Sequence, residues 1–208
     1  MKRHQLVAVA AALLLTGCGD GSATVTPGNV PVTAAPVPST ATTPAPLPVP
    51  SADAVFNDVD VMFLQTMIPH HRQGVELARL ARDRAVRTQV QELAAAIEVT
   101  QLHEVETMEA WLRGWNRPTS ANPDLHTHHG DVSAVGAEAV AELERTTGTD
   151  FEHRFLNLLT DHQQGAVDLA RKELDGGTNP QARGLADRIV RSRTAQIEQM
   201  RAFLQQGQ

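Results

Sequence analysis

Sliding the chain along itself by 92 residues produces an ungapped match, which limits the possible folds sharply. Phe63-Leu64 falls on Phe155-Leu156, His70 on His162, and Leu77-Ala78-Arg79 on Leu169-Ala170-Arg171. The register holds through Leu93-Ala94 on Leu185-Ala186, Ile97 on Ile189, Met108 on Met200 and Leu112 on Leu204. A constant offset over such a length reads as a duplicated supersecondary unit that buries its apolar face against its twin.

Apolar positions within each copy recur at spacings of three and four, the period of a helix. The absence of Tyr and the scarcity of Phe favour closely packed helices over a sheet. Long helices are expected near 52–84, 87–113, 150–175 and 180–205, with a shorter one near 133–146. Thr88-x-x-Gln91 and Thr149-x-x-Glu152 have the form of capping boxes. Gly114 and Gly176-Gly177 mark helix ends, and Asn179-Pro180 supplies a cap and a first-turn proline. The expected fold is therefore all-α, an antiparallel four-helix bundle built from two repeated helical hairpins. Repeat one spans 52–115, a His-containing connection 116–148, and repeat two 149–206, within a domain of residues 51–208.

The helix faces carry unusual residues. The first stripe runs Phe63, Met67, His70, Gly74, Leu77 and Ala81, which puts His70 on the buried face and His71 on its flank. Pro69 lies inside this helix, where a proline costs about 3 kcal/mol and removes a backbone donor. The second stripe runs Ile97, Gln101, Glu104, Met108 and Trp111, apolar except for two polar groups at its middle. Polar groups on two facing stripes are expected to meet. Met67, His70, His71, Gln101, Glu104 and Met108 are therefore candidates for one cluster.

The N-terminal 50 residues have a different character. Lys2 and Arg3 precede an apolar run at residues 6–15 that is too short for a stable membrane span, as in a signal peptide of residues 1–17. Leu15-Thr16-Gly17-Cys18 resembles the lipobox of bacterial lipoproteins, which implies acylation at Cys18 and a lipid-anchored, exported protein. Cys18 is the single cysteine, so an internal disulfide and a cysteine metal site are both excluded. The Pro/Thr/Ala-rich remainder of residues 18–50 reads as an extended tether, reaching roughly 100 Å in polyproline geometry. Loss of Lys2 and Arg3 takes the formal charge from −6 to −8, which argues against a nucleic-acid partner.

Phe63-Leu64-x-x-Met67-Ile68-Pro69-His70-His71, with Leu77-Ala78 and the downstream Gln101-x-x-Glu104-x-x-x-Met108-x-x-Trp111-Leu112, resembles the signature of domain-of-unknown-function family 305. That resemblance implies a ferritin-like helical bundle, and for some members copper handling in the bacterial envelope. Two departures stand out. The second copy reads Leu159-Thr160-Asp161-His162-Gln163, lacking the methionine and the second histidine, and the family's usual methionine-rich stretch between the copies is absent. Any soft-metal site is then expected in the first copy, or in the loop that carries His126, His128 and His129.

Thioether plus imidazole suits Cu(I), so Met67, His70, His71, Glu104 and Met108 are the metal candidates, with His126, His128, His129 and His162 as secondary ones. Ferroxidase chemistry is disfavoured, because none of the nine histidines has a glutamate three residues before it. The chain also lacks G-x-S-x-G, a Gly-rich phosphate loop and H-E-x-x-H, so neither turnover nor an organic cofactor is expected. Two readings stay open. One is copper binding outside the cytoplasm, for sequestration or tolerance; the other is an envelope bundle with a structural His/Glu cluster and a protein partner.

Overall fold

The computed structural model describes residues 51–120 and 135–206. Cys18, the signal segment, the tether and His126, His128 and His129 lie outside the described residues. Those described form five helices and no strand: α1 (Asp58–Arg84), α2 (Thr88–Gly114), α3 (Ala137–Arg145), α4 (Gly148–Gly176) and α5 (Pro180–Gln206). Among them no helix is long and apolar enough to cross a membrane.

Four of the five expected helix starts differ from the sequence reading, that of α3 by four residues. The first helix begins at Asp58, six residues later than expected, because Asn57 and Asp60 form a capping box. Asn57 Oδ1 accepts from the amides of Val59 and Asp60, and Asp60 Oδ2 accepts from the Asn57 amide at 2.7 Å. Neither expected capping box forms at α2 or α4, whose N-caps are Arg87 and Thr147 with no side-chain cap bond. Gln91 donates instead to the Ala85 carbonyl, and Glu152 accepts from the amides of Val86 and Arg87. A long-range carboxylate thus replaces a local cap at the start of α2. Asn179 behaves as expected, its Oδ1 accepting from Gln181 and Ala182.

Three-residue links fold α2 back on α1 and α5 back on α4, while α1 also packs along α4 and α3 rests against α4. Two apolar clusters result, each drawing on all four long helices. One holds the first half of α1, with Phe63, Leu64 and Met67, against Met108 and Trp111 of α2 and Leu185 of α5. The other holds Leu77 and Ala81 of α1 against Leu93, Phe151, Phe155 and Ile197. Each fully buried large side chain contributes roughly 1.5–3 kcal/mol of transfer free energy. Pro69 faces solvent and α1 runs through it unbroken. Between the two clusters the helices are crossed by a layer of polar side chains.

Candidate metal centre

The layer between the clusters is built from two residues of each long helix. They are His70 and His71 of α1, Gln101 and Glu104 of α2, His162 and Gln163 of α4, and Arg193 and Gln196 of α5. Gly74, one turn beyond His70, makes the close approach possible. A Cβ there would run into the Gln101 side chain and lie 2.9 Å from His162 Nε2.

His71 is fully buried rather than on a flank, because α4 and α5 cover the side of α1 that the isolated hairpin leaves open. Its Nε2 lies 2.7 Å from Glu104 Oε2, joining two of the expected cluster members. The same oxygen accepts from Arg193, which is 0% exposed. Burial alone would raise the Glu104 carboxyl, but the bonds from His71 and the Arg193 charge hold it below its usual range. Arg193 is lowered by burial and supported by Glu104. Across the layer, Gln163 donates to Gln196 at 2.6 Å, and Gln101 donates to Gln163 at 3.3 Å. Gln101 therefore serves the other half instead of the His71–Glu104 side.

His70 turns away from His71 and stacks on His162, with ring centroids 3.9 Å apart and planes 16° from parallel. None of the four buried nitrogens of these two rings makes a hydrogen bond of normal geometry among the described residues, although each ring approaches the other residue's backbone. Nδ1 of His71 is buried without a partner. Burial, with His162, His71 and Arg193 adding to it, pushes His70 down to about 2. Burial and His71 push His162 down to about 4. Burial also lowers His71, against the pull of Glu104. All three imidazoles are therefore neutral at pH 7 and carry free lone pairs, the form in which histidine binds metals.

Met67 and Met108 are fully buried in the apolar cluster that borders the layer. Among the described residues no group of three or more His, Cys, Asp or Glu side chains converges as a preformed metal site. The donors on hand are thus imidazoles within the layer and thioethers in the bordering cluster, a soft and neutral set.

A family model described as "Domain of unknown function (DUF305)" matches residues 60–204. The chain belongs to the DUF305 family. A DUF305 protein from Streptomyces coelicolor, described as secreted, is similar in structure at a TM-score of 0.67 and 28% identity, covering 72% of this chain and 92% of that one. A DUF305 fragment from Deinococcus radiodurans gives 0.63 and 29%, covering 76% and 99%. CopM in its Cu(II)-bound form gives 0.61 and 28%, covering 71% and 96%. CopM has also been solved with Cu(I), with silver and in the apo form. No curated protein sequence matches the chain.

Sequence reasoning missed three members of this DUF305 layer: Gln163 as a hydrogen-bonding residue, Arg193 and Gln196. The offset of 92 contained the signal, since it carries His71 to Gln163, Gln101 to Arg193 and Glu104 to Gln196.

Proposed function

We propose that this chain is an exported, lipid-anchored copper-binding protein, with the four long helices forming an antiparallel, ferritin-like bundle of two duplicated hairpins. Copper is its cargo, held for sequestration or tolerance without turnover. The observation that carries the reading is the pair His70 and His162, neutral, buried and stacked, with no ring nitrogen in a hydrogen bond of normal geometry. Leaving a buried polar group unpaired costs about 1–3 kcal/mol, and a ligand that supplies the missing partner offsets that cost. Met67 and Met108, in the apolar cluster that borders the layer, are the thioether candidates, and copper- and silver-bound CopM supports a soft metal ion as the ligand. Stacked rings present their lone pairs in nearly parallel planes, so uptake of one ion by both requires the rings to turn apart.

The test is Cu(I) affinity, measured by competition with a chromophoric chelator on protein purified without a His tag. His70→Ala and His162→Ala are each expected to lose at least tenfold while staying folded. Wild-type affinity in both folded variants would end the reading. The competing reading, a structural bundle with a protein partner, draws support from the hydrogen bonds that join His71 and Arg193 to Glu104. It predicts that both variants bind as wild type.

A further inference from the structure

Glu104 and His71 were both candidate ligands in the sequence, yet their geometry divides the labour between them. A carboxylate oxygen 2.7 Å from an imidazole nitrogen needs a hydrogen between them, because two facing lone pairs at that distance repel. The hydrogen therefore sits on Nε2 of His71. The Arg193 guanidinium, 3.5 Å from the same nitrogen, is then a second donor converging on Glu104 Oε2, and not a donor to the ring. With Nε2 committed, Nδ1 of a neutral His71 carries the lone pair, and Nδ1 is buried without a partner. Metal-binding histidines are commonly held in this way, one nitrogen donating to a carboxylate and the other left for the ion.

We infer that Glu104 and Arg193 are positioning residues that lock His71 in its Nε2–H tautomer and so present Nδ1 as a further soft-metal donor in the layer, on a ring whose centroid is 6.3 Å from that of His70. The inference rests on the copper reading for the identity of the ion, and it withdraws Glu104 from the set of ligands. Arg193 matters because it pins Glu104. A guanidinium that is fully buried and bonded to one carboxylate oxygen leaves that carboxylate little freedom to swing onto an ion. The 92-residue offset places Arg193 opposite Gln101, so the second half supplies the anchor for a histidine of the first.

The experiment uses full-length chain labelled with 15N-histidine. Long-range proton–nitrogen spectra of the metal-free protein report the His71 tautomer, and addition of Ag(I), a diamagnetic stand-in for Cu(I), reports the nitrogen that coordinates. The expected result is a proton on Nε2 before and after Ag(I), with the coordination shift on Nδ1. Glu104→Leu should populate both tautomers and lower Ag(I) affinity at least tenfold, the lower end of what loss of such an orienting partner costs. Glu104→Gln should keep the tautomer and stay within threefold of wild type, because Arg193 holds the amide oxygen toward His71. That conservative rescue guards against a Glu104→Leu protein that merely unfolds. A proton on Nδ1 in the metal-free protein overturns the inference whether or not metal binds. An Nδ1 signal unmoved by bound Ag(I) overturns the ligand role of His71 while leaving copper binding by the His70–His162 pair intact. Failure of the wild type to bind Ag(I) at all removes the copper reading and the ligand role together.

Discussion

Asp60 in α1 and Glu152 in α4 stand 92 residues apart, and each reaches across to the other hairpin. Asp60 accepts from the amides of Thr178 and Asn179, at the link before α5. Glu152 accepts from the amides of Val86 and Arg87, at the link before α2. The backbone arrangement is the same and the compensation of charge is not. Glu152 meets the Arg87 guanidinium. Asp60 faces Glu173, a second buried acid, packed so closely on Gly177 that a Cβ there would overlap its carboxyl. Both Glu173 carboxyl oxygens are buried without a hydrogen-bond partner among the described residues, so next to the Asp60 carboxylate the group keeps its proton. Burial, with Asp60 beside it, raises Glu173 to about 9. The polar layer repeats the lesson. One side balances Glu104 with Arg193 and His71, and the other side uses the neutral amides Gln163 and Gln196.

The largest expected effect comes from removing the charge on one side of that layer. Arg193→Met strands the Glu104 carboxylate in the core, and the expected loss is about 3–5 kcal/mol in urea unfolding. Gln196→Leu on the amide side leaves only one neutral group unpaired and should cost about 1–3 kcal/mol. Equal losses would mean that the two sides are energetically alike despite their chemistry.

The two clasps should separate by pH. The folded Glu173 binds its proton up to about 9, whereas the unfolded residue releases it near 4.5. The folded state therefore holds the extra proton in this window, and its stability falls as pH rises from 4.5 toward 9. Glu173→Gln cannot ionise, so its advantage over wild type should grow by roughly 4 kcal/mol between pH 5 and pH 8. Asp60 has the opposite sign, lowered from 3.8, so its contribution is lost only at more acid pH. Glu152→Gln weakens an ion pair and should destabilise at both pH values. Parallel pH profiles for Glu173→Gln and Glu152→Gln would erase the distinction.

The smallest change in stability is expected from Met67→Leu, which gives position 67 the residue found 92 positions on, at Leu159. Near-equal volume keeps the cost under about 1.5 kcal/mol. Loss of the thioether should weaken Cu(I) far more than Zn(II), as read by chelator competition alongside the thermal midpoint. Undiminished Cu(I) affinity in the folded variant would leave Met67 as core filling alone.

Much of the fold was legible because it depends on local periodicity. The stripes through Phe63, Leu77, Ile97 and Trp111 placed the helices, and Asn179-Pro180 marked the start of α5 through a cap that needs only its own neighbours. Thr88 and Thr149 misled because a capping box is a competition among acceptors. Glu152 gains more from two amides and a guanidinium across the hairpins than from its own helix end.

The candidate site was half legible. His70, His71, Glu104, Met67 and Met108 announced themselves as chemically odd residues on apolar faces, and the all-helical architecture followed from the sequence alone. Which of them touch did not. Stripe geometry gives each residue a direction from its own helix axis, but pairing depends on how α1 sits against α4 and α5, and side chains far apart in the chain decide that. The close approach at Gly74 turned His70 onto His162, and Arg193 arrived from α5 to hold Glu104 and His71. The sequence by itself determined the helices and the burial of their central stripes, such as Met67, His70 and Met108, because those follow helical period. The burial of His71 and Arg193 came instead from the packing of α4 and α5. Only the tertiary structure decided which lone pairs are spent and which are left for an ion, because hydrogen bonds act over about 3 Å and are set by packing.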